Sequence, residues 1–248
     1  MDLFYTPSER IDLSGRTLTV GGEEFFHITK SLRKKEGEAI LLTDGEGLSI
    51  KADITKIGRN DLTAAIVSKE YIPCASEKVT VAMSLLKSSH RFDFFLEKAT
   101  ELGVTGIVPM ISQRTVCRLK SEKANRKLER WRKVIVSAAC QTKRYYFPEI
   151  TAPLHFEEVL QLEGYDMKMI PYESSEITPE ASFTGRSVLF IVGSEGGFTE
   201  GEIEQARKEG FREVSFGRSI LRAETAGVFA VAMVRSQLLV NGQTDCRL

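Results

Sequence analysis

Two glycine-bearing stretches late in the chain hold the residue types that cradle a small ligand. The first, VGSEGGFTEGE at 192–202, follows the apolar run SVLFI and leads into a charged, helix-forming segment. The second, VSFGRSILRAETAG at 214–227, again reads as strand, Gly turn, short apolar knuckle and helix. A Walker loop needs Lys-Ser or Lys-Thr after its last Gly to reach phosphates, and Phe198-Thr199 stands there instead. A Rossmann fingerprint needs G-x-G-x-x-G on the first strand of its fold, whereas Gly193, Gly196 and Gly197 have other spacing and lie near the end. Two readings remain: a tight turn whose glycines serve only the backbone, or a backbone cradle around adenine or ribose. Glu195 would repel a polyphosphate but suits a neutral nucleoside or a cation.

The second stretch favours the cradle. It places Arg218, Arg222, Glu224 and Thr225 at the end of the strand next in sequence. Ligands of open α/β sheets bind where the carboxyl ends of strands meet, so two such loops form one pocket. The alternative for Arg222 and Glu224 is an ion pair capping the last helix. Against it stands the apolarity of that helix, because burying an idle charged pair is costly.

These loops need a parallel sheet behind them, and the pattern from residue 73 onward supplies one. Apolar strand runs (KVTVAMSLL, VTGIVPMI, DMKMIPY, SVLFIVG, REVSFG) alternate with helical segments (RFDFFLEKATELG, SEKANRKLERWRKVIVSAACQT, LHFEEVLQLEG, TEGEIEQARKEG, AETAGVFAVAMVRSQLLV). Thr199 and Glu202 form a capping box, and Leu128, Trp131, Ile135, Ala138 and Ala139 share one helical face. Residues 1–72 differ: short strands with a hairpin break at Asp44-Gly45, and one helix in EEFFHITKSLRKKEGE with a stripe of Phe25, Phe26, Ile28 and Leu32. That is the pattern of a small β-barrel module. YIPCASEK links the two regions, so the expected domains are 1–72 and 73–248.

Composition narrows the function. With 42% hydrophobic and 27% charged residues, the 248-residue chain is ordinary for a soluble globular protein. No apolar run approaches the length of a membrane span and no secretory signal is visible, so a cytoplasmic location is expected. Cys74, Cys117, Cys140 and Cys246 lack C-x-x-C spacing and read as reduced thiols, and His27, His90 and His155 offer no paired spacing for a metal. The net charge is zero, yet residues 112–147 carry eleven lysines and arginines against two acids. Such asymmetry suits either a solvated helix face or an anionic partner, and the aromatic tail KRYYF keeps nucleic acid open.

Taken together, LLKSSHRFDFFLEKATELGVTGIVPMISQR, CQTKR, IVGSEGGFTEGEI, FGRSILRAETA and the N-terminal HITKSLRKKEGE resemble the ribosomal RNA small-subunit uridine-N3 methyltransferase family, of the SPOUT class. The resemblance spans the chain. It implies a PUA-like β-barrel followed by an α/β domain with a deep trefoil knot, a rare topology. It implies a homodimer, with the apolar final helix as a dimer element. It also implies S-adenosylmethionine (SAM) in three loops, MIPYE, VGSEGGF and FGRSILRAET, lined by Ile170, Pro171, Gly193, Glu195, Gly196, Gly197, Phe216, Gly217, Ile220, Leu221 and Thr225. The partner it implies is 16S rRNA within the small ribosomal subunit. RNA contacts would come from Arg33, Lys34, Arg114, Arg118, Gln141, Lys143 and Arg144. The chain departs from the family at Asp2-Leu3, where an arginine is common, and at Cys140 and Lys143.

Methylation at uridine N3 requires loss of a proton and alignment of the methyl. Arg222 is the group to stabilise a uracil anion, and Glu224 either takes the proton or orients Arg222. The N3 edge pairs in a duplex, so the base must be unpaired or turned out. Rival readings are a 2′-O-ribose methyltransferase on tRNA or large-subunit rRNA, a non-catalytic ribosome-assembly factor, and a conventional α/β enzyme using a nucleotide phosphate.

Overall fold

A computed structural model describes residues 1–75, 77–117, 121–179 and 182–240. The described chain forms two compact units: Met1–Cys74 with Val136–Phe147, and Ala75–Ile135 with residues 148–240.

The first unit is a six-stranded sheet. Its elements are β1 (Leu3–Tyr5), β2 (Ile11–Asp12), β3 (Thr17–Gly21), α1 (Gly22–Phe26), β4 (Ala39–Thr43), β5 (Leu48–Ile57) and β6 (Asp61–Tyr71), with strand order β1-β4-β5-β6-β3-β2. Only β1 on β4 is parallel within it. Alternating residues of these strands, among them Leu18, Val20, Ile40, Leu42, Ile50 and Leu62, close one apolar core over Phe4, Phe25 and Ile28. The Asp44-Gly45 break is a hairpin turn, with Asp44 Oδ1 accepting from the backbone N–H of Glu46 at 2.8 Å and Leu48 at 3.1 Å. The expected four-residue stripe of the helix does not hold. After α1, residues His27–Ser31 wind as a π-helix, and the wider turn changes which side chains face inward. Phe25 and Ile28 are buried, whereas Phe26 and Leu32 are exposed.

The second unit contains β7 (Lys78–Ser84), α2 (Ser89–Glu101), β8 (Gly106–Ile111), α3 (Ser121–Gln141, whose last residues belong to the first unit), β9 (Glu149–Ile150), β10 (Leu154–His155), α4 (Phe156–Leu160), β11 (Met167–Pro171), β12 (Ser187–Val192), α5 (Glu200–Lys208), β13 (Arg212–Val214) and α6 (Ala223–Val240). Its sheet runs β10-β8-β7-β12-β11-β13, with β9 also on β8, and every pairing is parallel. Parallel strands buried on both faces explain the continuous apolar runs, such as Val188–Val192, all buried. They also place the loops after β7, β11, β12 and β13 at one edge.

The flanking helices are fixed by local rules. In α5 the Thr199 side chain accepts from Glu202 N–H while the Glu202 carboxylate accepts from Thr199 N–H. On α3, Trp131, Ile135, Ala138 and Ala139 are buried and Trp131 stacks on Phe92, with Leu128 only half-buried. The helix expected in LHFEEVLQLEG is short, because Leu154 and His155 pair with β8 and only Phe156–Leu160 coil. One correction concerns α6. Its 18 residues, at mean hydropathy 1.3, are long and apolar enough to cross a membrane by length and composition alone. It packs instead against α2, β7 and β12, with Ala230, Val231 and Val234 buried. Gly227 makes that approach possible: a Cβ there would lie 2.4 Å from Met83 Cε and 2.7 Å from the Phe95 ring.

Candidate functional site

At the carboxyl edge of the parallel sheet, the β11, β12 and β13 loops enclose a cavity of about 350 Å³. Pro171, Tyr172 and Glu173 come from the first loop, Val192 to Glu195 with Gly197 and Phe198 from the second, and Phe216 to Ala223 from the third. Arg91, at the start of α2, completes the wall from the β7 side. The volume is at the lower end of small-ligand sites.

The glycine-rich loop is tight by necessity. Ser194 and Gly197 form a bridge, with Gly197 N–H donating to Ser194 O at 2.9 Å. A Cβ on Gly193 would stand 3.1–3.3 Å from the Gly197 backbone, which itself has φ +66°. Glycine therefore lets the two sides of the loop close, and at Gly193 and Gly197 the backbone itself lines the cavity. Arg114 supports this loop from outside: its Nη1 donates to Gly196 O at 2.7 Å, and its carbonyl accepts from Ser194 Oγ at 3.1 Å. The third loop adds apolar surface through Phe216, Leu221 and the 83% exposed Ile220. An exposed isoleucine on a cavity wall suits the face of a planar ring.

The charged groups form a chain. Glu195 accepts from Lys87 N–H at 3.2 Å and pairs with Arg91 Nη1 at 3.9 Å. Arg91 Nε lies 3.6 Å from Glu224 Oε1. Glu224 is 7% exposed, and its Oε2 is buried without a hydrogen-bond partner. The partner of Glu224 is thus Arg91, from the other end of the domain sequence, and Arg222 stands exposed on the cavity wall.

Of the residues expected around the cofactor, Pro171, Gly193, Glu195, Gly197, Phe216, Gly217, Ile220 and Leu221 line the cavity. Ile170 is fully buried in the adjoining core, Gly196 meets Arg114, and Thr225 is exposed on α6; none of the three is in the wall. Arg222 lines it and Glu224 sits directly behind Arg91. Among the expected RNA contacts, Arg33, Gln141 and Lys143 are exposed on the first unit, and Lys34 is held by Ala39 O and Glu38. Arg144 is half-buried there, Arg114 is exposed in the second unit, and Arg118 lies outside the described residues. Tyr146 packs: its Oη donates to Ile72 O at 2.9 Å and its ring closes over Gly47. Arg91 was not among the expected site residues. Its only sequence signal was its place one turn inside the helix after the first strand of the sheet, within LLKSSHRFDFF.

A parallel sheet whose consecutive loops build a glycine-lined cavity, without a phosphate-binding lysine, defines an α/β enzyme that holds a nucleoside-like ligand by its backbone. Comparison with known proteins narrows the class. The model of an RNA methyltransferase domain matches residues 73–235, and that of an RNA methyltransferase PUA domain matches 20–67. The chain belongs to this RNA methyltransferase family, with a SPOUT-type domain behind a PUA-like one. It is similar to a crystal structure of ribosomal RNA small subunit methyltransferase E from Neisseria gonorrhoeae bound to SAM, at 31% identity and TM-score 0.85, covering 95% of this chain and 97% of that one. A methyltransferase from Legionella pneumophila in complex with SAM matches at 26% identity and TM-score 0.83, over 94% and 96% of the two chains. Ribosomal RNA small subunit methyltransferase E of Bacillus subtilis is 29% identical over 89% of this chain and 90% of its own length.

Proposed function

We propose that the protein methylates N3 of a uridine in 16S rRNA, using SAM, with the small ribosomal subunit as substrate. The observation that carries this is the glycine-walled cavity at the ends of β11, β12 and β13, in a chain of the RNA methyltransferase family whose SAM-bound relative covers almost its whole length.

The residues present fit the cofactor. The Gly193–Gly197 backbone and the Phe216, Ile220 and Leu221 side chains offer polar edges and apolar faces for an adenosine, and Glu195 tolerates a cationic sulfonium. SAM would supply an electrophilic methyl on a sulfonium. What the chain must then supply is alignment and charge. The wall fixes the ligand among three loops, which turns a bimolecular encounter into a positioned one. Uracil N3 must lose its proton as the methyl arrives, and negative charge develops on the flanking oxygens. Arg222, exposed on the same wall, is the guanidinium to stabilise that charge.

The target base must be unpaired or turned outward, because N3 lies on its pairing edge. Arg33, Gln141 and Lys143, exposed on the first unit, are the groups that would meet RNA phosphates there, and Arg114 is the exposed cation of the second unit. A homodimer agrees with α6, on which Phe229 and Leu239 remain 42% and 54% exposed despite its apolar composition. Ribosomal substrate implies a cytoplasmic location.

The test is transfer of labelled methyl from SAM to small subunits from cells lacking this gene, mapped by primer extension. Incorporation with a reverse-transcriptase stop at one uridine is expected. Incorporation only into tRNA or large-subunit RNA, or a product that resists alkali without stopping the polymerase, would replace this reading with 2′-O-methylation. Failure to bind SAM would leave only an RNA-binding assembly factor.

A further inference from the structure

We infer that Arg91 is a further ligand-contacting cation of this site, and that Glu224 acts as its positioning residue rather than as the acceptor of the N3 proton. The inference deepens the proposed methyltransferase function and rests on it.

Three observations converge. First, Arg91 forms part of the cavity wall, whereas Glu224 does not. Second, the guanidinium is anchored from two directions: Glu224 faces Nε at 3.6 Å, and Glu195 faces Nη1 at 3.9 Å. One carboxylate comes from the loop after β12 and the other from the first turn of α6, and Glu195 is itself fixed by Lys87 N–H. Arg91 therefore ties the β7, β12 and β13 loops together at one point. Third, Glu224 is buried with one oxygen unpartnered, an arrangement that costs stability and is not needed to cap α6. A carboxylate in that place makes sense as the fixed counter-charge of a cation whose orientation matters. Both carboxylate distances exceed hydrogen-bond length, so the anchor is an ion pair with room to tighten when a ligand arrives. Only Nε and Nη1 face these two anchors. The remaining donors of the guanidinium are available for a planar oxyanion. Two groups of the proposed reaction have that chemistry: the carboxylate of the SAM methionine moiety and the oxygens of a uracil losing its N3 proton.

The test compares wild type, Arg91→Met, Arg91→Lys, Glu224→Gln, Glu224→Ala and the Arg91→Met/Glu224→Ala double variant. Each is assayed for SAM Kd by calorimetry and for single-turnover methyl transfer to small subunits. A glutamine gives up the counter-charge but can still accept from the guanidinium once the contact tightens, and it is no base. Glu224→Gln is therefore expected to keep transfer within about tenfold of wild type, and Glu224→Ala to lose about a hundredfold. Arg91→Met should match Glu224→Ala, Arg91→Lys should recover part of the loss, and the double variant should be no worse than either single one. A weakened SAM Kd identifies the methionine carboxylate as the group held; an unchanged Kd with slowed transfer identifies the uracil oxygens. Equal loss in Glu224→Gln and Glu224→Ala, with Arg91→Met near wild type, would overturn the inference and make Glu224 the base. Should Glu224→Ala fail to fold, Glu195→Gln removes the exposed anchor: a smaller loss, shared with Arg91→Met, supports the inference, and wild-type transfer in both refutes it. If the wild-type protein itself transfers no methyl, the functional reading fails instead.

Discussion

The packing of α6 gives a stability prediction whose sign can be worked out. Replacing a helical glycine by alanine ordinarily stabilises by about 1 kcal/mol, through helix propensity and the loss of freedom in the unfolded chain. At Gly227 the added Cβ would lie 2.4 Å from Met83 Cε and 2.7 and 2.8 Å from two carbons of the Phe95 ring. The Met83 methyl can swing, but Phe95 is fully buried and its ring is packed against Phe92. Overpacking of this kind costs about 1–3 kcal/mol. The cost exceeds the propensity gain by about 1 kcal/mol, which in a chain of this size is a fall in Tm of about 2–4 °C. Gly201, in α5, is the control: a Cβ there meets nothing within 4 Å, so Gly201→Ala should raise Tm. Scanning calorimetry of the two variants measures both. Because α6 starts with Ala223 and Glu224, the displacement in Gly227→Ala should also weaken SAM binding, whereas Gly201→Ala should not. A Tm for Gly227→Ala that rises as much as that of Gly201→Ala would show that Met83 and Phe95 yield freely at the β7–α2–α6 contact, and would refute overpacking there.

Other consequences follow from the same geometry. Gly193→Ala puts a Cβ against the Gly197 backbone, which has no flexible end to move, so SAM affinity should fall about tenfold or more with little change in Tm; calorimetric titration decides this. Burial and the neighbouring Glu23 push the Glu24 carboxyl up from 4.5 to about 7. Between those values the folded protein keeps a proton that the unfolded chain has released. This contribution is therefore complete below about pH 4.5 and is lost as the pH rises through about 7. Urea midpoints at about pH 5 and pH 8 should differ less in Glu24→Gln than in wild type, and an unchanged difference would dismiss Glu24 as the cause. Burial and Glu24 push the Cys140 thiol up to about 12, whereas Cys74 is exposed. Brief alkylation of the native protein at mild pH should label Cys74 and spare Cys140, as read by peptide mass spectrometry.

Much of this molecule was legible along the chain because it depends on near neighbours. A capping box needs only Thr199 and Glu202 three residues apart, the Asp44 turn needs only its own loop, and apolar strand runs follow from burial on both faces of a parallel sheet. The glycine loops announced a backbone-walled site, and their place after strands put that site at the carboxyl edge. Local pattern failed where a neighbour far along the chain decided the outcome. In α1 Phe25 takes the inward face and Phe26, about 100° round the helix, points out, and after the π turn Leu32 is exposed as well. Residues 136–147 joined the first unit because Gly45 and Gly47 pair with the backbone of Phe147 and Tyr145, a hundred residues on. The partner of Glu224 was the largest such case. Sequence spacing offers Arg222 two residues away, but Arg222 precedes α6 and stands exposed on the cavity wall. Folding brings Arg91 to Glu224 because α6, which follows β13, returns across the sheet to pack on α2, whose first turn carries Arg91. The chain alone determined which loops wall the cavity; only the packing of α6 onto α2 decided which charges meet there.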